Sequence, residues 1–354
     1  MKKTIFLLML TAFVMPSFAV KKKQQVEKKD YRINCIAFYN LENLFDTIHD
    51  ENKNDYEYLP DGANHWNSVK YVNKVKKMAY ALEKLGKDED PRGAAVIGVC
   101  EVENIGCLED VVADPVWGDR RMVPILIEGP DKRGVDVGLL YNPKMFKVIK
   151  TNSHRLEMPE NPNFRPTRDQ LVVSGYLLEM GEKIHVVVNH WPSRYGGEEK
   201  SRPNRAAAAR LTKHIADSLY AIDPNAKIII MGDLNDDPFN IPCAEVLGAK
   251  KTREEVGPQG FYNTMWQMLD RGIGSLAYNG AWNLFDQIII SEPLLNADPQ
   301  KSLSYHKAQI FNKPFLTVAE GKDKGTPLRT HKAGVWQNGY SDHYPTMIYL
   351  IKAK

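Results

Sequence analysis

The chain has 354 residues, 43% of them hydrophobic and 26% charged, with a formal net charge of +3. This composition excludes a collagenous, low-complexity or disulfide-dense protein; the length fits one large α/β domain or two small ones, and polar motifs spread from Asn40 to His343 favour one. The small charge argues neither for nor against a nucleic-acid partner, because local patches decide that. No apolar stretch after the first twenty residues is long enough to span a bilayer.

Residues 1–19 have a short basic start, an apolar run from Ile5 to Met15 and a small-residue end at Ser17-Phe18-Ala19. That pattern predicts a secretory signal peptide cut after Ala19, and hence an exported, periplasmic or extracellular protein. Residues 20–30 are charged and predict a solvated linker, leaving 31–354 as the folded domain. Cys35, Cys100, Cys107 and Cys243 form no evident framework, and their spacing leaves pairing and free buried thiols both open. The absence of a CxxC pair argues against a structural zinc site.

Tyr31–Tyr39 alternates well enough for a strand that ends at Asn40. The polar segment Thr47–Trp66 predicts a loop, and Asn67–Leu85 follows a helical period closed by Gly86. Ala94–Cys100 is a continuous apolar run, the mark of a strand covered on both sides, and Glu101 follows it directly. Met122–Ile127 and Val135–Tyr141 flank a hairpin, Met145–Lys150 predicts a further strand, and Leu171–Glu179 with Lys183–His190 form a second hairpin. Arg202–Ile222 is an Ala-rich helix, and Lys227–Met231 is a buried strand that runs into Gly232-Asp233-Leu234-Asn235. Leu284–Ser291, with Asp286 set among apolar residues, and Pro345–Lys352 complete the strands. The stretches 247–282 and 292–340 carry poor periodicity and predict long loops.

The polar residues at these strand ends are what a cleft on a rigid scaffold requires. Asn40 and Glu42, like Asp233 and Asn235, stand two apart, so on extended chain each pair faces one way. Carboxylates at strand ends suit a hard divalent cation with oxygen ligands. His190 and His343 can exchange protons near neutral pH, although a lone histidine is more often structural. A buried Asp286 needs a partner, and histidine is the natural one. Guanidinium forks such as Arg133, Arg165 and Arg168 match phosphate oxygens.

Taken in order, FYNLENLFD, VIGVCEVEN, VVVNHWPSR, IIIMGDLNDDP, NLFDQIIIS and YSDHYP resemble the endonuclease/exonuclease/phosphatase superfamily. Its members include pancreatic-type DNase, abasic-site endonuclease, bacterial sphingomyelinase and inositol-polyphosphate 5-phosphatase. The opening segment and the leader look most like the predicted extracellular nucleases of bacteria. The resemblance implies a four-layer, DNase I-like α/β sandwich with two mixed β-sheets between helical layers. It implies Mg²⁺, with Mn²⁺ or Ca²⁺ as alternatives, held by Glu101 with Asn40, Glu42 and Asp342 around it. His343, held by Asp286, would activate water that Asp233 orients, and Asn235 would contact the phosphoryl oxygen. His190 would bind phosphate or assist the leaving group, with Glu128 as its partner carboxylate. Arg168 matches a substrate-binding arginine, though Asp169 and Gln170 depart from the family's pattern there.

The expected function is therefore an exported Mg²⁺-dependent endonuclease acting on DNA or RNA as a monomer with no obligate protein partner. A sphingomyelinase-like or phosphoinositide-phosphatase-like enzyme is the alternative within the same chemistry. An exposed apolar hairpin at 277–282 would favour the lipid substrate. A non-catalytic binding protein on the same fold is the third reading.

Overall fold

A computed structural model describes residues 30–158, 161, 164–278 and 280–354; the predicted signal peptide and nearly all of the predicted linker lie outside them. Its strands in chain order are β1 (Tyr31–Leu44), β2 (Ala94–Val102), β3 (Val123–Leu126), β4 (Asp136–Tyr141), β5 (Phe146–His154), β6 (Gln170–Leu177), β7 (Glu182–His190), β8 (Ile228–Asp233) and β9 (Ala249–Lys250). There follow β10 (Phe261–Asn263), β11 (Leu276–Tyr278), β12 (Ala281–Asn283), β13 (Asp286–Ser291), β14 (Ser304–Ile310), β15 (His331–Lys332), β16 (Val335–Trp336) and β17 (Thr346–Ala353). The long helices are α1 (Ser68–Lys84), α2 (Ile105–Ala113) and α3 (Glu198–Ile222).

Among the described residues two large sheets form, in the orders β14-β17-β1-β2-β4-β3 and β5-β6-β7-β8-β13-β10-β9. Both are mixed, since β1 and β2 are parallel, as are β7 and β8, while most other pairs are antiparallel. The continuous apolar runs explain why the sheets stack. Along β7, Val186 and Val188 face the other sheet, while Val187 faces α3 with Ala208, Ala209 and Ala216. Along β8, Ile229 and Met231 point inward and Ile228 and Ile230 outward; β13 repeats this with Ile288, Ile290 and Ile289. A strand buried on both faces must be apolar at every position. Met78 and Leu82 of α1 and Leu108 of α2 join the core of the six-stranded sheet. The sheets approach so closely that a Cβ at Gly98 would lie 2.5 Å from the sulfur of Met231.

Most predicted elements are present, with shifted ends. β1 continues past Asn40 to Leu44, and α3 starts at Glu198, with Pro203 inside it. β14, missed within the predicted loop, is an edge strand of sequence SYHKAQI, too polar to show a strand pattern. β9 and β10 are too short for periodicity to show. All four cysteines are free and buried. No helix among the described residues is long and apolar enough to cross a membrane.

His185, 6% exposed on β7, meets Ser174 Oγ of β6 through Nδ1 at 2.7 Å. Burial lowers its pKa to about 4, and Lys183 adds to the effect. The unfolded chain, with its histidine near pKa ~6.5, therefore takes up the proton first as pH falls. Stability should drop by roughly 2 kcal/mol between about pH 6.5 and 4 through this group. Urea unfolding at both pH values should show a smaller drop in His185→Asn than in wild type; equal drops would assign the loss to other groups.

Candidate active site

The site lies at one end of the sandwich because parallel β7 and β8 end there and antiparallel β13 begins there. His190 and Asp286 are both register partners of Asp233. Gly232 makes this possible. Its φ is +154°, and a Cβ would sit 2.2 Å from the Asn189 carbonyl oxygen, so only glycine lets β8 lie this close to β7.

From the other sheet come β1 and β2. Their register shifts between Asn40 and Leu44, and β2 shifts against β4 between Cys100 and Val102. These irregularities enclose Glu42 and Glu101, whose φ values are +48° and +58°. Asn235 after β8 has φ +51°. Left-handed backbone at non-glycine residues is uncommon and clusters where side chains are re-aimed for function.

Asp233, 3% exposed, is the hub. Its Oδ2 accepts from Asn40 Nδ2 at 3.1 Å and lies 3.7 Å from His190 Nε2 and 4.0 Å from His343 Nε2. Its Oδ1 accepts from the Asn235 backbone N–H at 2.9 Å. Burial pushes this carboxyl up to about 7 against the pull of His343. Glu101 Oε1 is 3.8 Å from His190 Nε2, and its Oε2 accepts from the Asn43 backbone. The ligand atoms of Glu101, His190 and Asp233 all lie within 4.8 Å of one another. Two carboxylates and an imidazole in this cluster, with no lysine or arginine bridging the carboxylates, fit a divalent cation by their chemistry.

His343 Nδ1 meets Asp286 Oδ2 at 2.6 Å, and Ser275 Oγ donates to the same oxygen. The buried Asp286 thus has the histidine partner its setting demanded. Burial alone would lower the His343 pKa, but the charge and hydrogen bond of Asp286 outweigh it and hold it well above the usual imidazole range. His190 goes the other way: burial, then the charges of Arg168 and Arg133, keep it neutral. Its Nδ1 is buried without a hydrogen-bond partner. Glu128 does not fill that role, because it is exposed beyond β3 and the carboxylates beside His190 are Glu101 and Asp233.

Glu42 departs from expectation. The bulge breaks the alternation that would have aimed it alongside Asn40, and its side chain turns to Arg329 Nε at 3.2 Å and the Thr330 backbone N–H at 2.5 Å. Arg329 also donates to Asp342 Oδ2 at 2.9 Å. Asp342 therefore lies beside His343, 3.9 Å from its Nε2, but is engaged by the same arginine as Glu42. Neither belongs to the cluster formed by Glu101, His190 and Asp233. Nothing in the local sequence of Arg329 announces this role.

Arg168 is 7% exposed and donates to Asp131 Oδ2 at 3.2 Å and to the Trp191 carbonyl at 2.7 Å. Asn235 Nδ2 shares that carbonyl at 2.9 Å. A cavity of about 490 Å³ opens on these groups, lined by Glu101, Arg168, His190, Asp233, Asn235 and His343. A second cavity of about 420 Å³ adjoins it and shares Arg133, Arg165, Ser193 and Tyr195. Tyr195 is 91% exposed, and sequence reasoning did not single it out.

The two stacked mixed sheets, a His–Asp pair and a carboxylate cluster at one end define a metal-dependent phosphoric ester hydrolase of the nuclease and phosphatase type. Residues 35–352 match the Endonuclease/Exonuclease/phosphatase family, and the chain belongs to it. No curated protein matches the sequence. Among solved structures, humanized D. rerio TDP2 with 14 mutations aligns at TM-score 0.54 and 12% identity, covering 90% of this chain and 98% of that one. Truncated Caenorhabditis elegans TDP2 aligns at 0.52 and 15%, covering 90% and 97%. Bacteroides thetaiotaomicron VPI-5482 mannosyl-6-phosphatase aligns at 0.53 and 13%, covering 90% and 99%. At these identities the likeness is one of fold.

His343→Ala should lower kcat on an activated phosphodiester by ~10²–10⁴, the usual contribution of a positioned acid–base group. Asp286→Asn removes the charge that raises the His343 pKa. The acid limb of its kcat/KM profile should therefore move to lower pH, and an unmoved limb would place the essential base elsewhere.

Proposed function

We propose that this chain is an exported Mg²⁺-dependent endonuclease that cuts DNA or RNA. The observation that carries this reading is the second cavity. It extends the His343–Asp233 centre into a cleft bearing Arg133, Arg165 and the exposed ring of Tyr195. A phosphate backbone needs cations along its path, and unstacked bases find affinity on aromatic faces. A small phosphate monoester would need only the first cavity.

In this reading His343 Nε2 takes a proton from the attacking water, with Asp286 fixing the ring through Nδ1. Asp233, tied to Asn40, orients that water. Asn235 and the neutral His190 face the phosphoryl and leaving oxygens, and Arg168 sets the Trp191 carbonyl from which Asn235 is positioned. Glu101 and Asp233 are the carboxylates that would hold the metal, and hard oxygen donors favour Mg²⁺. A cation held there would supply positive charge for the phosphoryl oxygens and would favour the neutral, basic form of the nearby His343. The leader at 1–19 supports export.

The lipid alternative asks for an apolar hairpin free to enter a membrane. The hairpin β11–β12 is present, but its Trp282 stacks on Tyr344 with centroids 6.1 Å apart. Only Tyr278 of its aromatic rings is well exposed, at 66%.

The test is cleavage of plasmid DNA and single-stranded RNA by the mature protein with Mg²⁺. Cutting should vanish with EDTA. Arg133→Ala and Arg165→Ala should each weaken binding across sequences and reduce the slope of log affinity against log salt by about one. A folded wild type that leaves both nucleic acids intact but releases headgroup from sphingomyelin liposomes would reverse the assignment.

A further inference from the structure

Arg194 follows His190 by four residues, on the loop between β7 and α3, where a guanidinium beside the site is well placed to face phosphate. Instead its side chain, 24% exposed, lines neither cavity, and every nitrogen of its fork is turned to protein. Nε donates to the Asn235 carbonyl at 2.9 Å, and Nη2 donates to Asp236 Oδ1 at 3.2 Å and to Asn240 Oδ1 at 3.0 Å. Nη1 donates to Glu198 Oε2 at 2.8 Å in the first turn of α3. The guanidinium carbon lies over the Phe285 ring, 4.5 Å from its centroid, and Phe285 forms a wall of the first cavity.

Asn235 needs such a clamp, because its φ of +51° is one that a non-glycine residue does not hold by itself. The loop 191–194 fixes it at two points. The Trp191 carbonyl accepts from the side-chain Nδ2, and the Arg194 fork takes the backbone carbonyl. Nδ2 carries two N–H bonds and Trp191 takes one; the other would meet a phosphoryl oxygen. Beyond Asn235 the chain is held as firmly. Asp236 Oδ2 lies 2.8 Å from Nε of the fully buried Arg205, so its two oxygens sit between two arginines. Asn240 Nδ2 donates to the other Glu198 oxygen at 3.0 Å, which closes the ring from α3 to the loop after β8. A planar fork with fixed donor directions can hold a carbonyl, a carboxylate and an amide oxygen at once, as an ammonium cannot.

We propose that Arg194 is a positioning residue: its fork holds Asn235 in the left-handed conformation that aims its amide at the phosphoryl oxygen, and it touches no substrate itself. The inference rests on the reading that Asn235 faces that oxygen. It does not depend on whether the natural substrate is nucleic acid, since any phosphate ester presents the same oxygen. Loss of the fork lets the backbone at Asn235 relax toward right-handed geometry and swings the amide away. A donor preorganised for charge that develops in the transition state acts on kcat more than on KM. Arg194 should therefore act on kcat, and only through Asn235.

The test is steady-state hydrolysis of p-nitrophenyl phosphate and bis(p-nitrophenyl) phosphate by the mature protein with Mg²⁺, using whichever ester is cut faster, with thermal melting to check that each variant folds. Asn235→Ala should lower kcat by ~10²–10³, the usual effect of removing one such donor. Arg194→Met keeps an apolar stem over Phe285 and should lower kcat by on the order of tenfold to a hundredfold with KM unchanged, as a misplaced group does. In the Asn235→Ala background the same substitution should lower kcat by less than about twofold, because the group it positions is gone. Arg194→Lys should fall as far as the methionine variant. A lysine variant as active as wild type would put simple positive charge in place of positioning and overturn the proposal. Glu198→Ala, at a half-buried position, serves should Arg194→Met fail to fold; it should lower kcat and likewise lose its effect without Asn235. A raised KM at unchanged kcat in Arg194→Met would make the arginine a substrate contact, and equal losses with and without Asn235 would make it merely structural; either overturns the proposal. Full activity of Asn235→Ala, or a folded wild type that cuts neither ester, would overturn the role of Asn235 and this inference with it. A wild type that cuts an ester but neither DNA nor RNA would overturn the nuclease reading and leave this inference standing.

Discussion

Burying a carboxylate between two sheets costs several kcal/mol unless its charge is met by partners. Asp233 bears that cost where β8 ends. Its partners come from both halves of the fold: Asn40 from the six-stranded sheet, His190 and Asn235 from its own, and His343 from the loop before β17. The geometry of the site thus depends on the two sheets keeping their mutual position. The interleaved apolar faces of β7, β8 and β13 against β1 and β2 secure that position, and Gly98 and Gly232 set how near the backbones come. Packing precision and chemical precision are here the same constraint.

The two histidines show how one end of one fold can hold opposite proton affinities. Both are buried. His343 has a carboxylate hydrogen-bonded to its Nδ1 and keeps its proton; His190 has no partner on its Nδ1, and burial, then the charges of Arg168 and Arg133, keeps it neutral. Groups whose surroundings drive their pKa values apart are the mark of divided acid and base roles. The unmatched Nδ1 of His190 fits the same picture, since a buried polar atom without a partner is rarely idle.

Much of this was legible in the sequence. The continuous runs VVV, III and AAVIGVC betray strands covered on both sides, and polar residues at their ends mark where the cleft opens. Asp286, charged among apolar neighbours, required a partner, and it has His343. The direction of Glu42 was not legible, because period-two alternation assumes a regular strand and the bulge at positions 40–44 removes that regularity. Arg329 was invisible for a different reason. It lies in a loop without periodicity, 287 residues from the carboxylate it holds, and its partners are fixed by tertiary folding alone. Tyr195 and β14 were missed because exposed aromatics in loops and polar edge strands carry no pattern.

The backbone at Glu42, Glu101 and Asn235 has a consequence for how such a protein evolves. Each of these residues occupies a conformation in which glycine would be at ease and a side chain is not, at a cost on the order of 1–2 kcal/mol apiece. Drift toward greater thermal resistance would therefore erode these positions first, trading carboxylate and amide for hydrogen. Lineages that keep the side chains must find their sturdiness in distant parts of the sandwich. A sturdier descendant with glycine at these three places would be a scaffold that has forgotten its chemistry.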